Sequence, residues 1–334
     1  MYSRDMNYRA FGNTGIRVSD LILGTWYLPN SGTKTKPQVD RETSLKLIRK
    51  AYDLGVNFFD TADVYRGVYD RENMQGNFKT VGLSEKILGE ALKGYDRESF
   101  VVATKVMGRT GALQNDLGLN RKHVRSAIEK SLERLQMDYV DFYLMHAPDG
   151  VTGRYESAKT MNILIEDGKI LHYGLSNFES HEIAEYRSLD GVERPSFIQD
   201  KFNLIEREQE TRNIAVAESN GMASMIYSPL AQGVLAGRYM GRKKDKSRSI
   251  YEKNFSDNRM TENNREKLLK LSEVAKSLGV DMSQVALAWL IGKGKSIFPI
   301  IGSTNLEQLE ENAKTSDLRL SSDVMKELDS TFSK

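Results

Sequence analysis

The chain has 334 residues, with 48 Lys and Arg against 46 Asp and Glu and no cysteine. A formal charge of +2 is too balanced for a general nucleic-acid or membrane-surface binder, and the lack of thiols excludes disulfides, thiolate metal sites and a cysteine nucleophile. The four histidines (His123, His146, His172, His181) form no HExxH pair, MYSRDMNYRAF lacks the apolar centre of a signal peptide, and no apolar run reaches the roughly 20 residues of a bilayer span, so a cytoplasmic protein without metal, membrane or nucleic-acid partner is expected.

In chain order, NYRAFGNTGIRVSD (7–20) predicts a hairpin around Asn13-Thr14-Gly15, placed to plug the bottom of a barrel. Eight strand-then-helix units follow. LILGTW (21–26) precedes RETSLKLIRKAYDLG, where Leu45, Ile48, Ala51 and Leu54 fall at helical spacing and Gly55 supplies the stop. VNFFDT (56–61) precedes LSEKILGEAL (83–92), with Ser84 as the expected N-cap; FVVATKV (100–106) precedes KHVRSAIEKSLERLQ; YVDFYLMHA (139–147) precedes ESAKTMNILIEDG. ILHYGLSN (170–177), SFIQDKFN (196–203), MASMIYSPL (222–230) and SIFPIIG (296–302) lead to HEIAEYRSL, EQETRNIAVAESNG, REKLLKLSEVAKSLG and LEQLEENAK. SSDVMKELDSTF (321–332) is one helix more. Strands with so few polar positions belong in a parallel sheet covered by helices. Eight such units suit an α/β fold of the closed (β/α)8 TIM-barrel type, as a single domain over residues 1–334 with an N-terminal β-hairpin and a C-terminal extra helix.

In such barrels the site lies at the C-terminal ends of the strands, so the test is what each apolar run ends on. The runs end on Asp60 with Tyr65 five residues later, Lys105, His146, Ser176-Asn177, Gln199 and Tyr227. Lys105 inside VVATKV needs a partner, because an isolated buried charge costs several kcal/mol, roughly, and Asp60 on the adjacent strand is the natural one. A cation beside Tyr65 is expected to lower its pKa from about 10, making it a proton donor near neutral pH, with His146 orienting the substrate carbonyl. That is chemistry for an oxygen that becomes negative as a carbonyl accepts hydride. Asp63 has no such partner and reads as a loop residue. Trp26 and Tyr27 read equally as substrate-pocket lining or as rim packing.

The stretches LILGTW, FFDTADVY, LSEKILGEAL, VVATKV, SLERLQMDYVDFYLMH, GKILHYGLSNF, IQDKFNLIERE, YSPLAQGVLAGRY and GSTNLEQLEEN resemble the aldo-keto reductase family, in its order and over essentially the whole length. The resemblance implies a catalytic tetrad of Asp60, Tyr65, Lys105 and His146, and NADP(H)-dependent reduction of an aldehyde or ketone as a small-molecule carbonyl substrate. It implies that Ser176, Asn177 and Gln199 hold the nicotinamide carboxamide and that Tyr227 stacks on the ring. The pyrophosphate would lie against Ser228, Pro229, Leu230, Ala231, Gln232 and Gly233. The adenosine end would meet Gly302, Ser303, Thr304, Gln308, Glu311 and Asn312.

There is no GxGxxG, so a Rossmann site is not indicated. Many relatives carry arginine at the place of Thr304 or lysine at the place of Gly302; this pattern is closer to the branch that includes potassium-channel β-subunits. That branch implies cations in the preceding loop at Arg238 and Arg248, so NADP(H) is expected in preference to NAD(H), the forked guanidinium suiting a phosphate. The alternative is a nicotinamide-nucleotide-binding regulatory subunit with little turnover. RGVYDRENMQGNFKTVGL (66–83) after Tyr65 is a lid, a substrate-selecting wall or a subunit contact, the last allowing a homo-oligomer.

Overall fold

The computed structural model describes residues 6–29, 39–65, 78, 80–240, 259 and 261–333. Tyr8–Ala10 (β1) and Arg17–Ser19 (β2) pair antiparallel around a turn in which Gly15 takes a left-handed φ of 79°. The eight strands that follow are Ile22–Gly24 (β3), Phe58–Asp60 (β4), Val101–Val106 (β5), Val140–Met145 (β6), Ile170–Ser176 (β7), Phe197–Lys201 (β8), Ala223–Tyr227 (β9) and Ile297–Ile301 (β10). They form a closed barrel in the order β10-β3-β4-β5-β6-β7-β8-β9, parallel at every pairing. The expected barrel, hairpin and C-terminal helix (Ser322–Thr331) are all present.

The strands' period of two sorts their side chains. Phe58, Val101, Ala103, Phe142, Leu144, Phe197, Ala223, Met225, Phe298 and Ile300 form the cluster inside the barrel, while Phe59, Val102, Tyr143 and Ile198 pack outward among the helices. Phe11 of the hairpin is fully buried in the inner cluster, with ring centroids 4.6 Å from Phe142, 5.1 Å from Phe298 and 5.4 Å from both Phe58 and Phe197. It closes the end where the strands begin. Two more residues along each strand, the same parity delivers Asp60, Lys105, His146, Gln199 and Tyr227 to the opposite mouth.

Helices Arg41–Asp53, Arg121–Leu135, Glu262–Leu278, Leu306–Ala313 and Ser322–Thr331 begin at Asp40, Asn120, Thr261, Asn305 and Ser321, each side chain accepting from a backbone N–H three residues on. The helix Leu83–Leu92 corrects an expectation: Gly82 precedes it in a left-handed conformation and Ser84 lies fully buried within it rather than capping it. A helix the periodicity did not reveal, Met282–Gly292, precedes β10. Among the described residues no single helix is long and apolar enough to cross a membrane.

Candidate active site

Strand β4 ends at Asp60, whose two carboxylate oxygens each lie 2.8 Å from the Lys105 Nζ of neighbouring β5. The lysine side chain has no solvent exposure, and the ammonium donates further to the Thr61 carbonyl at 2.6 Å and to the Tyr65 hydroxyl at 3.1 Å. Four acceptor atoms from three residues thus satisfy a buried cation that would otherwise be prohibitive. Tyr65 is held from both sides of its loop. Its N–H bonds the Ala62 carbonyl, and its own carbonyl accepts from Ser84 N–H at the start of the next helix.

His146 follows β6, its N–H on the Val106 carbonyl, and its ring meets that of Tyr65 edge-on at 5.9 Å. Burial first, and the Lys105 charge second, lower its pKa to about 3, so the imidazole is neutral. The Lys105 pKa is raised: burial opposes the charge, but Asp60 and Tyr65 outweigh it. Tyr65 departs from expectation. Burial raises its pKa and, with Asp60 and Asp63, outweighs the lowering by Lys105, so the hydroxyl stays protonated. The donor role does not suffer, since a donor must carry its proton.

Two residues have surroundings that the sequence did not foretell. Gln199, expected to hold the nicotinamide carboxamide, also donates from Nε2 to Asp60 Oδ1 at 2.9 Å, across 139 residues of sequence. Asp63, expected as a solvated loop residue, is fully buried, and neither of its oxygens has a hydrogen-bond partner among the described residues. Its neighbours are already committed: Glu85 pairs with Arg134 at 2.6 Å and accepts from Thr104 Oγ1 at 2.6 Å. Burial first, then Glu85, push its pKa well up against the charges of Arg134 and Lys105. Burial thus favours the neutral form of Asp63.

The other mouth residues bond to one another. Asn177 has φ 61°; its Nδ2 donates to the His146 carbonyl and to Ser176 Oγ, each at 3.0 Å, and its Oδ1 accepts from the Tyr227 hydroxyl at 2.9 Å. Asp200, which sequence reasoning passed over, lies behind this set, bonded by Asn213 Nδ2 at 2.9 Å. Burial pushes its pKa up to about 6. The signal was its place one residue past Gln199, which turns it outward toward the helix Asn213–Ser219.

After β9, Ser228, Ala231 and Gln232 take φ of 53°, 46° and 55°, and Gly233 takes 94°. Left-handed non-glycine residues cost of order 1–3 kcal/mol each and gather where backbone is shaped for a ligand. Such turns aim N–H groups into concavities that suit anions. A Cβ on Gly233 would lie 2.6 Å from Arg238 Cδ, so the exposed Arg238 lies directly over this turn. Past β10, Thr304 Oγ1 bonds Gln308 Oε1 at 3.1 Å, Glu311 pairs with Lys314, Asn312 is buried, and Ser303 Oγ is buried without a partner among the described residues. Gly302 is exposed, with Tyr27 beside it. Strain after one strand and an orphaned hydroxyl after the next fit the phosphate-bearing part of a nicotinamide dinucleotide.

Arg248, and residues 66–77 and 79 of the segment after Tyr65, lie outside the described residues. Tyr27 packs against Trp26, ring centroids 4.6 Å apart and tilted by 59°, and has its pKa raised to about 12 by burial first and Tyr239 second, against Arg238. It thus sits by the loop that carries Arg238. A cavity of about 280 Å³ lined by Arg9, Asp20, Arg319 and Met325 lies at the hairpin end and shares no residue with the mouth.

A family model described as "Aldo/keto reductase family" matches residues 20–332. The chain is 33% identical over 323 residues to a protein of Oryza sativa subsp. japonica named "Probable voltage-gated potassium channel subunit beta", covering 94% of this chain and 92% of that one. It is 32% identical over 322 residues to a protein of the same name from Arabidopsis thaliana, with the same coverage.

Proposed function

The chain belongs to the aldo/keto reductase family, and from that premise we propose that it reduces the carbonyl of an aldehyde or ketone to an alcohol with NADP(H), reversibly, as a single-domain cytoplasmic enzyme. The observation that carries the reading is the buried Lys105 held between Asp60 and the Tyr65 hydroxyl. The nicotinamide, when bound, supplies or takes up the hydride. Ser176, Asn177 and Tyr227 would hold and face its ring, the turn 228–233 its pyrophosphate, and Gly302, Ser303, Thr304, Gln308, Glu311 and Asn312 its adenosine end. Arg238 and Arg248 are proposed for the 2′-phosphate.

The chain's own residues then do the following. Tyr65 donates its hydroxyl proton to the carbonyl oxygen as negative charge develops there. Lys105, charged and fixed, steadies the phenolate left behind, and Asp60 keeps Lys105 charged inside the barrel. His146, neutral, offers a ring nitrogen to the same oxygen without competing as an acid. Fixed donors of this kind act without reorganising.

The test follows NADPH absorbance with a panel of small aldehydes and ketones. Tyr65→Phe is expected to lower the rate by about 10²–10⁴-fold; equal rates for both proteins would sink the proposed donor. A titration should show NADPH binding tighter than NADH, with Arg238→Ala removing most of the difference.

The relatives' printed names favour a second reading, a nicotinamide-binding regulatory subunit of a channel. Tight NADPH binding, no turnover across the panel and a co-purifying membrane protein would select it.

A further inference from the structure

Gln199 is 3% exposed, and its Nε2 is committed: 2.9 Å to Asp60 Oδ1, with Met225 Sδ at 3.7 Å. The amide therefore has one face left for a ligand at the mouth, its Oε1, which accepts and cannot donate. Asp60, on the other side, receives two kinds of donor, the Lys105 ammonium and this amide. Whatever part of the Asp60 charge the amide satisfies is no longer set against Lys105, and more of the lysine's field then reaches the Tyr65 oxygen 3.1 Å away.

Resting on the function proposed above, we propose that Gln199 is a positioning residue for proton transfer: it joins the carboxamide of the bound nicotinamide to Asp60, and through Asp60 and Lys105 sets how readily Tyr65 gives up its proton. An N–H donor on Oε1 polarises the amide and strengthens its bond to Asp60, since hydrogen bonds in a chain reinforce one another. Cofactor in place thus favours the donor, and the site is readied by the ligand it needs. The groups facing Tyr65 are Lys105 from β5, Asp60 from β4, Asp63 from its own loop, His146 after β6 and Tyr227 from β9. Among them only the Asp60–Lys105 pair touches both Gln199 and Tyr65.

The experiment measures the pH profile of kcat in wild type and Gln199→Met, which keeps the length of the side chain and loses both amide groups. The limb assigned to Tyr65, identified by its loss in Tyr65→Phe, should move to higher pH by roughly half a unit or more in Q199M. A Q199M protein with weaker NADPH binding and an unmoved limb overturns the inference, because Gln199 would then only hold cofactor. The same test is made on wild type alone with the 3-acetylpyridine analogue of NADPH, whose ring substituent cannot donate to Oε1. Its limb should shift in the same direction, and in Q199M the two cofactors should give the same limb; an unshifted limb in wild type overturns the inference even if the variant does not fold. Failure of the functional reading looks different, as absent turnover or an active Tyr65→Phe with the natural cofactor.

Discussion

Asp200 stands one residue past Gln199 and faces the other way, into the layer between barrel and helix, where burial holds its pKa at about 6. An unfolded aspartate titrates near 3.9, so between the two values the folded chain binds the extra proton. Stability from this group is fully present below about pH 4 and is lost as pH rises through about 6, by about 3 kcal/mol in all. Asp200→Asn should therefore remove that slope, and by urea unfolding it should gain on wild type as pH rises from 4 to about 7. Parallel stability profiles would mean that Asp200 titrates normally. That Asp60, Lys105 and His146 meet at the mouth was legible from strand parity, and Tyr65 from its place five residues past the end of a strand. The Gln199 contact was not, since it joins residues 139 apart across the barrel and depends on which strands face each other. Nor was the burial of Asp63: a polar residue just after a strand reads as solvated until the helix Leu83–Leu92 is seen to cover it.

At the scale of elements, the helix Leu83–Leu92 fixes much of the site from behind. Ser84 N–H binds the Tyr65 carbonyl, and Glu85 ties the helix to Thr104 on β5 and to Arg134 on the next helix. Gly89 lets it approach that next helix: a Cβ there would lie 2.2 Å from the Leu135 carbonyl oxygen, which is backbone and cannot turn aside. Gly89→Ala should cost about 1–3 kcal/mol in stability, despite alanine's better helix propensity, measurable by thermal unfolding. An unchanged or higher melting temperature would mean that the helices part without cost. The amphipathic helices were legible by their spacing, but Met282–Gly292 was not. It is buried on nearly every side, so it carries no polar stripe to give a period. Its start was readable in a different way, from the capping box between Asp281 and Gln284.

For the molecule as a whole, the two ends of the barrel do separate work. The hairpin end is packed with aromatic rings around Phe11, and the mouth collects the polar groups. Phe11→Ala should cost about 3–5 kcal/mol by urea unfolding while leaving the proposed reductase kcat within about twofold at a temperature where it stays folded. A large loss of kcat in the folded variant would show that the plug also shapes the mouth. The barrel itself was legible from eight repeats of apolar run and helix. Of the two cations proposed for a phosphate, Arg238 lies beside the turn at Gly233 and Arg248 lies outside the described residues.

Phe11 and the side chains packed around it fill the barrel from the hairpin end, so the mouth is the side from which the site is entered. On the proposed function, two molecules must pass through it in each cycle, and they cannot do so in any sequence. Ser176, Asn177 and Gln199, at the strand ends, would hold the nicotinamide, and the carbonyl compound would have to approach from the solvent side of it. On that arrangement the cofactor would arrive first and leave last. Excess alcohol product would then trap spent cofactor in the site, so turnover would be paced by departure through the rim rather than by the chemistry below it.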